Sequence, residues 1–166
     1  MTDRDTEFTA YVAARQGHLR RVAFAVVGDW HLAEDVLQIA LAKLYVAWPR
    51  LHRDGREDAY VRQIIVRSHL DEVRRGWWRR ERAGLEGFDT AAREPMPSEE
   101  RSALFDALQE LPPMQRRVVV LRHWLGLSVE ETATDLQIST GTVKSYSHRA
   151  LERLRGTLAT TPPAGG

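Results

Sequence analysis

The chain of 166 residues is 43% hydrophobic and 28% charged, long enough for one ordinary domain or two small ones and too apolar to be disordered throughout. It contains no cysteine, which excludes disulfide bridges, thiolate metal sites and thiol nucleophiles. The longest apolar run, Val22 to Val27, is far too short to cross a bilayer, and the N-terminus has no signal-like apolar core, so a cytoplasmic protein is expected. The net charge of +1 conceals a segregation. Residues 1–57 balance eight Lys and Arg against eight Asp and Glu, residues 58–82 carry seven against four, residues 83–111 two against seven, and residues 112–166 seven against four. Two basic blocks flank an acidic connector, the distribution of a protein with two separate polyanion contacts.

In chain order, Phe8, Val12, Leu19, Ala23 and Val26 recur at spacings that line one helix face and predict a helix ending near Gly28. Leu32, Val36, Leu37, Ala40, Leu41, Leu44 and Trp48 predict a second helix, stopped by Pro49. A third is predicted from about Asp58 through Val61, Ile64, Ile65 and Leu70 to Val73, weakening at Gly76. Three striped helices imply a small bundle. Residues 83–98 then lose all period, with Gly84, Gly87, Pro95 and Pro97 among acids and small residues, and read as a flexible acidic linker. Helical spacing resumes with Leu104, Ala107, Leu108 and Leu111. Pro112 and Pro113 end that helix and start another, which Val118, Leu121 and Leu125 carry to Gly126. Ser128 and Glu131 form a capping box that opens a short helix to Leu136, and a last helix is predicted from about Thr140 to Leu158, followed by a frayed tail. No strand alternation occurs. The expected fold is all-α, with two small helical domains joined by the linker.

The stretch LSVEETATDLQISTGTVKSYSHRALERLR places a capped helix, a turn of about three residues and a longer helix in the order of a helix-turn-helix. With Val143, Ala150, Leu151 and Leu154 turned inward, Thr142, Lys144, Ser145, His148 and Arg149 gather on the outside. Lys144 and Arg149 supply charge, an arginine can fork onto guanine, and Ser145 and His148 can donate or accept in a major groove. The same pattern on a solvated helix hairpin would carry only ordinary surface charge. The agreement of cap, turn, apolar spacing and basic face favours DNA binding.

The longer segment LPPMQRRVVVLRHWLGLSVEETATDLQISTGTVKSYSHRALERLR resembles the fourth conserved region of RNA polymerase sigma factors of the extracytoplasmic-function group (group IV), and in particular their actinobacterial SigE-like family. The resemblance implies that the final helix reads the minus-thirty-five promoter element through Thr142, Lys144, Ser145, His148 and Arg149. Two positions depart from the family pattern. Gln137 stands where glycine is usual in the turn, at a cost of about 1 kcal/mol if its backbone is left-handed. Tyr146 stands where a basic residue is common, so no phosphate contact is assigned to it.

A helix-turn-helix occurs in many regulators, so the first domain decides the kind of protein. Its segment AEDVLQIALAKLYVAW is similar to the part of sigma factors that docks on the clamp helices of the largest polymerase subunit, and the resemblance makes Asp35 and Gln38, one turn apart on the open side, the polymerase contacts. Read without it, Glu34 and Asp35 merely favour the positive start of a helix. The segment AYVRQIIVRSHLDEVRRGWWRRER is similar to the part that captures and opens the minus-ten element. Opening needs cations for phosphates, flat side chains for unstacked bases and a pocket for an extruded base. Arg62, Arg67, Arg74, Arg75, Arg79 and Arg80 are candidates for the first supply, and Tyr60, Trp77 and Trp78 for the second. Adjacent helical positions point about 100° apart, so a narrow stripe cannot readily bury both tryptophans. Arg67 falls where many relatives carry a base-pocket asparagine, so amide recognition of a flipped base is not carried over.

The implied domains are residues 1–82 (region 2), the linker 83–98, residues 99–158 (region 4) and a disordered tail, 159–166. The implied partners are core RNA polymerase and promoter DNA, with an anti-sigma factor as a further candidate, and no cofactor or metal. The six histidines make no H-E-x-x-H or similar ligand spacing and no phosphate-cradling glycine loop occurs, so an enzyme is not expected. The principal alternative is a stand-alone transcriptional regulator, distinguished by its independence of core polymerase. A protein-interaction module without DNA would leave the basic face of the last helix without a role.

Overall fold

The computed structural model describes residues 2–52, 55–67 and 94–160, and every regular element among them is helical. The chain divides into two compact units, Met1–Glu94 and Pro95–Gly166.

In the first unit, α1 (Asp3–Val27) opens on a capping box between Thr2 and Asp5 and ends at Gly28, whose φ of 80° lets its N–H return to the Phe24 carbonyl. Asp29 follows at once as the N-cap of α2 (Trp30–Leu51), its Oδ1 accepting from the Leu32 N–H at 2.9 Å. So short a connection folds α2 back along α1 as a helical hairpin. Leu19, Val22 and Val26 of α1 and Val36, Leu37, Ala40, Leu44 and Trp48 of α2 are buried. Trp48 meets Phe8 edge-on at 5.5 Å, lies 5.4 Å from Tyr11 and stacks on His52 at 4.6 Å. The third helix, α3, is described over residues 57–67 and buries Val61, Ile65 and Val66. Its start is tied to α1: the Tyr11 hydroxyl donates to Asp58 Oδ1 at 2.5 Å, and Arg15 pairs with Oδ2 at 2.9 Å. Burial and then the bond to Asp58 push the Tyr11 phenol up from its usual range.

Pro49 does not stop α2, which runs on to Leu51. A proline at position 49 removes the N–H that would bond the Tyr45 carbonyl, the defect that ordinarily breaks a helix. Here Arg4 of α1 donates its Nη2 to that carbonyl, while its guanidinium lies 4.2 Å over the Tyr45 ring. The Tyr45 hydroxyl in turn donates to Asp5 Oδ1 at 2.5 Å. Supply of a long-range donor is what lets the helix pass the proline.

In the second unit, α4 (Ala103–Glu110) is capped by Ser102, and α5 (Pro113–Val119) starts on a proline whose missing N–H has no bond to lose. The expected continuous helix from Pro113 to Gly126 is instead interrupted: Val120–Trp124 form one π-helical turn, closed by the Leu125 N–H on the Val120 carbonyl. Gly126, at φ 71°, reverses the chain into α6 (Val129–Leu136), which carries the capping box of Ser128 and Glu131. The last helix, α7 (Thr140–Thr160), extends two residues past its expected end. Val143, Ala150 and Leu154 of α7 are buried, whereas Leu151, expected beside them, is only half-buried. Arg116 and Arg117 of α5 and Asp135 of α6 are buried in this unit, charged groups that no apolar stripe foretells. Of the expected linker, residues 83–93 lie outside the described residues, as do residues 161–166 of the expected tail.

Arg4→Ala is expected to lower stability by about 1–2 kcal/mol, because the Tyr45 carbonyl loses its donor. With Pro49→Ala present, residue 49 regains an N–H for that carbonyl, and the same change should cost about 1 kcal/mol less in a urea-melt double-mutant cycle. Equal costs in the two backgrounds would mean that Arg4 acts only through the Tyr45 ring.

Candidate nucleic-acid interface

The turn between α6 and α7 sets the direction of the outward helix. Gln137 adopts φ 57° and ψ 44°, the left-handed conformation that glycine takes without penalty, and the Ile138 N–H returns to the Ala133 carbonyl at 3.1 Å. Ser139 then closes the start of α7, its Oγ accepting from the Thr142 N–H at 3.1 Å. From there Lys144, Ser145, His148 and Arg149 are all exposed and Val143 and Ala150 are buried behind them. Thr142 is half-buried and its hydroxyl shares a hydrogen bond with Ser139 at 2.8 Å, so it shapes the turn as much as the outer face. Tyr146 is half-buried and Ser147 shares a hydrogen bond with His123 of the π turn at 2.9 Å. The His148 Nε2 lies 3.2 Å from the Glu152 carboxylate one turn on.

Of the residues expected to handle an opened strand, Tyr60 and Arg62 are half-buried and Arg67 is exposed on α3. Arg74, Arg75, Trp77, Trp78, Arg79 and Arg80 lie outside the described residues. Among the described residues, an open cleft of about 490 Å³ is lined by Tyr60 and, from α2, by Lys43, Val46, Ala47, Pro49 and Arg50. A flat ring, an apolar floor and two cations therefore face one space wide enough for a base. Sequence reading missed Lys43 and Arg50. Their separation of seven residues puts them on one face of α2, and that was the available signal; what could not be read was that α3 brings Tyr60 to the same face.

Asp35 and Gln38 are both exposed on α2, beside Ile39, itself 49% exposed, and further along the helix Val46 is 76% exposed. The direction of this helix is governed by Asp29. Burial raises the Asp29 carboxyl, but the Leu32 and Glu94 backbone donors and His31 outweigh burial and hold it below the usual carboxylate range. In the second unit Leu104, Phe105, Val120, Trp124, Leu151 and Leu154 line an apolar groove of about 440 Å³. Among the described residues no group of three or more His, Asp or Glu could hold a metal ion, and no helix is long and apolar enough to cross a membrane.

Two stretches match known families: residues 11–79 match sigma-70 region 2, and residues 101–154 match sigma-70 region 4. The chain is 41% identical to the RNA polymerase sigma-E factor of Streptomyces coelicolor over 154 residues, covering 90% of this chain and 84% of that one. It is 42% identical to the sigma-E factor of Streptomyces antibioticus over 159 residues, covering 93% and 86%. It is also 34% identical to the ECF sigma factor SigE of Mycolicibacterium smegmatis over 146 residues, covering 84% and 56%. Its fold is similar to that of the sigma factor RpoE of Bartonella quintana, solved with the anti-sigma factor NepR, at a TM-score of 0.70 and 22% identity over 94% of this chain and 99% of that one. The presence of both regions defines a promoter-recognition subunit and sets aside the stand-alone regulator. The chain belongs to the extracytoplasmic-function RNA polymerase sigma factors, in their SigE-like group. It is an alternative sigma factor acting in transcription initiation.

Gln137→Gly is expected to raise stability by about 0.5–1 kcal/mol, since glycine holds a left-handed backbone without a Cβ clash. A thermal melt checks this. A lowered midpoint would mean that the glutamine side chain supplies more than its backbone strain costs.

Proposed function

We propose that the chain performs this role through three surfaces: Lys144, Ser145, His148 and Arg149, with Thr142, on the minus-thirty-five element; the Tyr60 cleft on the opened minus-ten strand; and Asp35 with Gln38 on core polymerase. The observation that carries the reading is α7 itself, whose outer face gathers two cations and two hydrogen-bonding side chains over a buried apolar side. That face has the donors and acceptors of major-groove readout. In the cleft, Tyr60 would stack an unpaired base while Lys43 and Arg50 neutralise its phosphates, a combination suited to single strands. Arg62, Arg67, Arg74, Arg75, Trp77, Trp78, Arg79 and Arg80 join this surface by family resemblance. Residues 1–82 and 99–158 act as the two working domains, with 83–98 between them and 159–166 as a tail.

This function is binding and positioning, without catalytic chemistry of the chain's own, and its setting is the cytoplasm, where the polymerase works. An anti-sigma factor is a further partner in this reading: exposed Ile39 and Val46 on the first unit and Leu104 and Trp124 on the second are apolar surface that a protein partner would cover.

Asp35→Ala combined with Gln38→Ala should weaken core-polymerase binding while leaving the helical circular-dichroism signal unchanged, because both side chains are exposed and neither supports the core. Undiminished affinity for core enzyme would remove these residues from the docking surface.

Residues 58–82 and 112–166 each carry a net charge of only +3, so salt-dependent attraction from either is modest. Core polymerase that holds both at the spacing of the two promoter elements makes the second contact effectively intramolecular. The free chain should therefore bind duplex promoter weakly and open none of it, whereas the chain with core enzyme binds specifically and melts the DNA. Gel shifts and permanganate footprints at one fixed salt concentration measure this. Strong sequence-specific binding by the free chain, unaltered by polymerase, would contradict it.

A further inference from the structure

A single π-helical turn at Val120–Trp124 is an uncommon interruption, and such turns gather at functional sites. Here it turns three consecutive side chains toward three different neighbours. Arg122 donates through Nη1 to the Leu127 carbonyl at 2.5 Å, ahead of α6. Trp124 sets its ring edge-on to Phe105 of α4, at 5.8 Å and 82°. Between them, the His123 Nε2 lies 2.9 Å from the Ser147 Oγ of α7. Ser147 is half-buried and sits in sequence between the exposed pairs Lys144, Ser145 and His148, Arg149.

The buried side chains of α7, Val143, Ala150 and Leu154, hold it by apolar contact, which is non-directional. A roll of the helix by about 20° would preserve most of that contact yet move a side-chain tip at a radius of about 6 Å by about 2 Å. Such a displacement takes a base-edge hydrogen bond out of range, and it also breaks a bond as directional as that between His123 and Ser147. Burial and the adjacent Arg122 charge lower the His123 ring from the ordinary histidine range, which favours the neutral form with one donor and one acceptor nitrogen.

We propose that His123 is a positioning residue for promoter readout: through Ser147 it fixes the roll of α7 and hence which base edges Lys144, Ser145, His148 and Arg149 reach. His123 itself contacts no DNA in this role. The inference rests on the reading that α7 binds the minus-thirty-five element.

The test uses full-length chain with core polymerase and a duplex promoter library randomised over the minus-thirty-five element, at one salt concentration. His123→Ala and Ser147→Ala should each lower enrichment of the wild-type preferred sequences by about 3- to 10-fold, the worth of one neutral hydrogen bond. The double variant should be no worse than either single one. His123→Gln, whose amide can still reach Ser147, should recover most of the selectivity, a rescue that a general loss of packing would not show. Wild-type selectivity in His123→Ala, additive losses in the double variant, or losses that follow the melting temperature and resist the glutamine rescue would each overturn the proposal. Combining Lys144→Ala, Ser145→Ala, His148→Ala and Arg149→Ala separates the two levels. If it leaves selectivity intact, α7 is not the reader; if it destroys selectivity while His123→Ala does not, only the positioning role falls.

Discussion

Both oxygens of the Asp29 carboxylate are committed, and the first unit depends on that. Oδ1 closes the start of α2 through Leu32, at 2.9 Å, while Oδ2 accepts the Glu94 N–H at 3.0 Å, and the Trp30 N–H returns to the Glu94 carbonyl at 2.9 Å. One side chain therefore sets where α2 begins and where Glu94 is held beside it. The side chains of α2 proposed to meet polymerase and the opened strand, Asp35, Gln38, Lys43 and Arg50, take their directions relative to that starting point, because helical geometry fixes the azimuth of each residue against the first turn. The second unit uses the same device three times, at Ser102 for α4, at Ser128 for α6 and at Ser139 for α7. Short capped turns thus place the starts of the helices that carry the exposed side chains.

How much of this the amino-acid order discloses depends on the range of the interaction involved. Gly28, the capping box of Ser128 and Glu131, the left-handed Gln137 and the outward set Lys144, Ser145, His148 and Arg149 are all legible, because each follows from residues within one or two turns of one another. The continuation of α2 past Pro49 is not, since the donor that repairs it, Arg4, stands 41 positions from Tyr45. The pairing of Lys43 and Arg50 with Tyr60 escapes for the same reason: each helix pattern is clear, but which faces meet is a tertiary fact. The π turn escapes for a different reason. The apolar run around Val118 to Leu125 fits an α-helix equally well, and one extra residue leaves no mark in so short a period.

The departures from the family pattern fall where function and stability compete. A glutamine in the turn before α7 accepts backbone strain to keep a side chain where glycine would have none. Tyr146, where a basic residue is common, is half-buried, unlike the exposed Lys144, Ser145, His148 and Arg149, and contributes packing in place of a cation. If α7 reads the minus-thirty-five element as proposed, the absence of a cation there increases the share of recognition that falls to Lys144 and Arg149, and with it the demand on the orientation of α7.

Under the proposed reading, that demand makes a second DNA contact necessary for tight binding. A helix that reads base edges with four side chains and modest charge gains specificity from geometry more than affinity from electrostatics. Geometry is useful only if the helix is presented at the correct distance from its second contact, and apolar side chains left exposed on both units, Ile39 and Val46 on one and Leu104 and Trp124 on the other, are surface that gains from being covered. Covering them with a larger assembly would remove apolar area from water and fix the spacing of the two DNA contacts at the same time. A protein that covered this surface first would deny it to the polymerase, and the competition would be decided by relative affinity and concentration without a change in the residues proposed to read the promoter.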